Sequence, residues 1–106
     1  MIARIWYGYT DLHNADAYET LLKTEIFPAI VARNNPGFMR IELLRAPLGD
    51  EVEFATVMWF DSLDSVKAFA GADYETAVVL PKARALLRRF DARSRHYDVR
   101  ERRDAN

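Results

Sequence analysis

Hydrophobic and polar positions along this chain switch between two periods. Residues 2–9 (IARIWYGY) are β-branched and aromatic, which suits a pleated surface and predicts a first strand. Tyr18, Leu21, Leu22, Ile26, Ala29 and Ile30 then recur at helical spacing, with Asn14 placed to cap the helix and Asp16 near the positive end of its dipole. Pro28 falls inside that run, where it lacks an amide donor and crowds the Thr24 carbonyl, so a kink or early break is expected. The polar turn Asn34-Asn35-Pro36-Gly37 closes the element.

A second strand, Phe38 to Arg45, puts Met39, Ile41 and Leu43 on one face and Phe38, Arg40, Glu42 and Leu44 on the other, the mixed pattern of a sheet edge. Pro47 to Asp50 marks a hairpin, and residues 51–60 form a third strand. Asp61 or Ser62 caps a helix with the stripe Leu63, Val66, Phe69 and Ala70, which Gly71 ends. Pro81 opens another helical piece carrying Ala83, Leu86 and Leu87. A last strand spans about Ala92 to Val99.

The order is β-α-β-β-α-β, an α+β, ferredoxin-like domain with strand one central between strands three and four and both helices on one face of the sheet. It occupies residues 1–100, and residues 101–106 are expected to be a frayed tail. Strand one carries Ile2 and Trp6 on one side and Ala3, Ile5, Tyr7 and Tyr9 on the other. Strand three sets Phe54, Met58 and Phe60 against Ala55, Val57 and Trp59. Two apolar faces leave one without cover in a two-layer monomer, which predicts a homodimer with the sheets packed face to face.

Composition narrows the chemistry. The absence of cysteine among the 106 residues excludes disulfides, thiolate metal sites and thiol nucleophiles. Fifteen basic against sixteen acidic residues, a net charge of −1, give no field for a nucleic acid backbone. No run is long and apolar enough to span a bilayer, so a cytoplasmic protein is expected, with no membrane partner. His13 and His96 stand in no metal-ligand spacing, and the four glycines form no phosphate-binding fingerprint, so no metal and no cofactor are expected.

Arg4, Trp59 and His96 fall on neighbouring predicted strands. His96 titrates near neutral pH and is either a general base for a phenol or activated carbonyl, or a buried structural histidine bonded to a carbonyl or to Asp98. Arg4 either stabilises an oxyanion or pairs with Asp98, Glu51 or Glu53. Trp6, Trp59, Tyr74 and Phe69 either line a pocket for a planar ligand or serve core and dimer packing, with Tyr74 the most loop-like of them.

IARIWYG, the NPGF turn, WFDS and FAGADYETAVVLP with HYDV resemble the antibiotic biosynthesis monooxygenase family over nearly the whole chain, Met1 to about Val99. The resemblance implies a homodimeric α+β barrel with a pocket in each subunit between sheet and helices. It also implies oxidation of a small aromatic molecule, polyphenolic or quinol-like, by molecular oxygen with no cofactor, His96 and Arg4 serving as base and anion stabiliser. A haem-degrading branch of that superfamily carries a tryptophan, a histidine and an asparagine where Phe69, Val79 and a position near Tyr7 stand here, which counts against haem. A non-catalytic binding barrel and a non-oxidative isomerase-type barrel remain as alternatives.

Overall fold

The computed structural model describes residues 1–105. Strand β1 (Ile2–Asp11) pairs antiparallel with β3 (Glu51–Phe60) along its whole length, and β3 pairs with β2 (Phe38–Leu48) at the sheet edge. On its other side β1 pairs with β4 (Arg89–Phe90) and then β5 (Arg95–Asp98), so β1 is central as expected. The architecture is α+β and ferredoxin-like, with helices on one face of an antiparallel sheet. No helix among the described residues is long and apolar enough to cross a membrane.

The last strand is the first departure from expectation: it is broken in two. Asp91 N–H still bonds Tyr7 O of β1 at 3.0 Å, but residues 92–94 leave that strand to bond the connection between residues 70 and 81, through Ala77 N–H to Ala92 O at 2.9 Å and Ser94 N–H to Glu75 O at 2.7 Å. Two short strands therefore stand where alternation suggested one. The tail after Asp98 has no regular structure through residue 105, and Asn106 lies outside the described residues.

The second departure is a β-bulge. The pairing register shifts between Phe38 and Arg40, so Phe38 joins Ile41 against the core and Met39 turns to solvent. An extra residue in one strand reverses the faces before it, which simple alternation could not reveal. The hairpin then closes tightly, Leu48 opposite Glu51, with Gly49 at φ 60°.

The first helix does not break at Pro28. Helix α1 (Ala15–Leu21) passes through a π-turn (Leu22–Ile26) into α2 (Phe27–Ala32), with Phe27 N–H bonded back to Leu22 O. The wider turn gives the proline ring room, so the helix continues past Pro28 without the amide donor that the ring removes. Asn14 does not cap α1 with its side chain; its N–H instead bonds Asp11 Oδ1 at 2.8 Å. Ser62 does cap α3 (Leu63–Ala70), accepting from Ser65 N–H, and Gly71 ends it at φ 88°. Helix α4 (Pro81–Leu86) starts at its proline as expected.

Two core clusters form under these helices. Tyr18, Leu21, Leu22 and Phe54 make one; Ile2, Met58, Phe60 and Val66 make the other. Between them, over the middle of β1 and β3, the sheet is not filled.

Candidate functional site

That gap is a cavity of about 760 Å³, within the range of small-molecule sites. Its floor is Arg4 and Trp6 of β1 with Thr56 and Met58 of β3, which share the helix-covered face because Arg4 lies opposite Met58 and Trp6 opposite Thr56. Leu22, Ile26 and Phe27 from the π-turn and α2 form one wall, and residues 77–83 form another. Phe69 contributes from the end of α3. At the mouth, Lys82 pairs with Glu25 at 2.8 Å, and Arg33 stacks on the Phe69 ring at 4.4 Å.

Arg4 is only 8% exposed. None of Asp98, Glu51 and Glu53 pairs with it: Glu51 is held by Arg89 at 2.8 Å and Arg88 at 3.5 Å. Instead the Arg4 Nη1 group donates to Tyr74 O at 2.5 Å and to His96 Nε2 at 2.9 Å. Burial without a counter-charge lowers the Arg4 pKa, but a guanidinium stays protonated, so a cation is held beside an apolar space.

The same geometry fixes the state of His96. A guanidinium can only donate, so Nε2 accepts and the neutral ring carries its proton on Nδ1. Burial first, then the Arg4 charge, push the His96 pKa below its ordinary value, with Glu75 opposing. The ring also meets the Tyr74 ring edge-on at 5.0 Å. His96 stands behind Arg4 and lines a separate groove with Tyr74 and Glu75, not the cavity.

The sequence-predicted site residues therefore divide. Arg4, Trp6 and Phe69 line the cavity, and Trp6 is anchored by its Nε1–H to Asp91 O at 2.8 Å. Tyr74 contributes a backbone carbonyl to Arg4 and a ring to His96 but does not line the cavity. Trp59 lies opposite Ala3 on the other face of the sheet, bonded to Glu42 at 2.7 Å. An odd-numbered residue of β3 cannot reach a site floored by even-numbered ones.

Three hydroxyl residues escaped sequence reasoning: Tyr18, Thr56 and Ser94 all line the cavity. Tyr18 is almost fully buried, which pushes its phenol up to about 12 and keeps it neutral. Thr56 had a signal, as the one polar residue between Phe54 and Met58 on an apolar strand face. Among the described residues no three metal-binding side chains cluster.

No protein-family model matches the sequence, and no curated protein sequence matches it. Solved structures do match in fold. A Bacillus cereus protein described as a candidate antibiotic biosynthesis monooxygenase aligns with a TM-score of 0.70 at 10% identity, covering 98% of this chain and 97% of its own. A variant of MhuD with two manganese protoporphyrin IX molecules bound per active site aligns at 0.69 and 17% identity, covering 99% and 100%. SnoaB, a cofactor-independent oxygenase from Streptomyces nogalater, aligns at 0.58 and 23% identity, covering 95% of each chain. The fold is that of antibiotic biosynthesis monooxygenase-type proteins.

The cavity does not fit a haem held by a histidine, a cysteine thiolate or a tyrosinate. Its walls present no histidine or cysteine, Val79 and Phe69 line it as hydrocarbons, and the Tyr18 phenol is held neutral.

Proposed function

We propose that this protein is a cofactor-independent monooxygenase acting on a small aromatic, phenolic or quinol-like molecule. The observation that carries the reading is the uncompensated Arg4 charge on the floor of an apolar cavity with aromatic walls. A cation in a water-poor site favours the anionic form of a phenol or enol, lowering its pKa without a base in contact. For a substrate with an activated methylene, the carbon gives a proton to water, its electron pair reduces oxygen, and the peroxide anion takes a proton back. A C–O bond forms, and the hydroperoxide loses water to leave a carbonyl. One CH₂ and one O₂ become one C=O and one H₂O.

His96 is, on this reading, a positioning residue that holds Arg4 from behind. Two such subunits are proposed to pack sheet to sheet, covering the apolar outer face. Oxygen uptake with anthrone, a naphthol and hydroquinone tests the function. Arg4→Gln is expected to lower uptake by about 10²-fold or more, as loss of an oxyanion donor does, and His96→Gln by less. No uptake above the protein-free rate with any of the three would sink it.

A second reading, a non-catalytic binding barrel, is favoured by one observation: the cavity walls hold no histidine, and the nearest one, His96, lies behind Arg4 with its Nε2 lone pair engaged. Ligand binding without oxygen uptake would establish it.

A further inference from the structure

The two hydrogen bonds made by Arg4 both leave from Nη1. Its Nε–H and the Nη2 group have no partner among the described residues. Neither atom is sealed in packing, since the buried side-chain atoms left without partners there are Thr10 Oγ1 and Asn35 Oδ1. Of the two hollows Arg4 lines the cavity and not the groove beside His96, so the cavity is where the remaining donors of its fork can be reached.

The unused donors are not an arbitrary pair. Nε–H and the nearer Nη2 hydrogen are parallel and coplanar, the edge of a guanidinium that matches both oxygens of a carboxylate. The used donors meanwhile fix the plane of the fork, through a loop carbonyl on one side and an imidazole nitrogen on the other. A side chain oriented at one end and unpaired at the bidentate end is preorganised for an anion with two coplanar oxygens.

From this we infer that the cavity binds an apolar carboxylic acid as its carboxylate, the two oxygens on Arg4 Nε and Nη2 and the hydrocarbon body among Leu22, Ile26, Phe27 and Phe69. Trp6 stands on the same strand face as Arg4, and Tyr18, Thr56 and Ser94 share the cavity as hydroxyl-bearing residues. Other cations of the site are already committed, Lys82 to Glu25 and Arg33 to the Phe69 ring and carbonyl. Only Arg4 offers an uncompensated charge away from solvent, where a charged hydrogen bond gains most. The inference rests on the cavity being a ligand site and is independent of oxygen chemistry.

Calorimetric titration of the whole chain with 2-naphthoate and decanoate tests it, with 2-naphthamide and 2-naphthol as neutral counterparts of like shape. At least one acid is expected to bind at least about tenfold tighter than its neutral counterpart. Arg4→Lys, which keeps the charge and loses the fork, is expected to remove about tenfold of that affinity, and Arg4→Gln to abolish the preference for acid. Neutral compounds binding as well as the acids, or no acid binding at roughly millimolar concentration, overturns the inference even if the variants fail to fold. Oxygen uptake from naphthols alongside that result would leave the proposed function standing and the carboxylate wrong.

Discussion

The two faces of the one sheet are built from the same strands and differ in how they treat charge. On the inner face Arg4 is buried without a carboxylate in a concave space. On the outer face Ala3, Ile5, Tyr7, Ala55, Val57 and Trp59 make an apolar stripe, and two of its flanking cations are paired with carboxylates: Arg40 with Glu42 at 3.3 Å and over the Trp59 ring, Arg89 with Glu51 at 2.8 Å and over the Tyr9 ring. An unpaired charge in a hollow suits a small ion, whereas a flat apolar stripe rimmed by satisfied charges suits another protein surface. The difference supports the proposed ligand on one face and the proposed second subunit on the other.

The heaviest test of that contrast is Phe54→Ala. Phe54 is 0% exposed and meets Tyr18 edge-on at 4.9 Å, so its loss is expected to cost about 3–5 kcal/mol in chemical denaturation. Ile5→Arg, on the outer stripe where the side chain is only half-buried, is expected to leave the circular dichroism of the fold intact and weaken self-association about 30-fold or more in sedimentation equilibrium. A dimer unmoved by that charge would break the contrast.

The smallest effect belongs to His96. Its folded pKa lies below the ordinary 6.5, so in the window between the two the unfolded chain binds more protons, and stability falls as pH falls through it. His96→Gln is expected to flatten that slope below the ordinary histidine pKa of 6.5, read from thermal melts. A wild-type slope that survives the substitution would locate it elsewhere.

Much of the fold was legible. Strand β3 runs from Glu51 to Phe60 as its pattern predicted, and Ser62, Gly71 and Pro81 mark helix ends through the local chemistry that makes them boundary residues. The bulge at Met39, the π-turn before Pro28 and the interruption at 91–94 were not legible. Each is a local departure tolerated because distant packing compensates for it, as Ser94 and Ala92 do by bonding residues 75 and 77. The site was half legible. Arg4, Trp6 and Phe69 were named from sequence and line one cavity, while Trp59 was joined to them wrongly and Thr56 was missed.

By itself the sequence determined the elements, their order and the two-faced apolar character of the central strands, because periodicity and caps act within a few residues. Only the tertiary structure decided which face each strand turns to the helices, since that depends on register between segments far apart in the chain. The same register set Arg4 opposite His96 and beside the Tyr74 carbonyl, residues 92 and 70 positions away. That placement turned a base and a cation into an oriented cation held by a neutral imidazole, with its bidentate edge free.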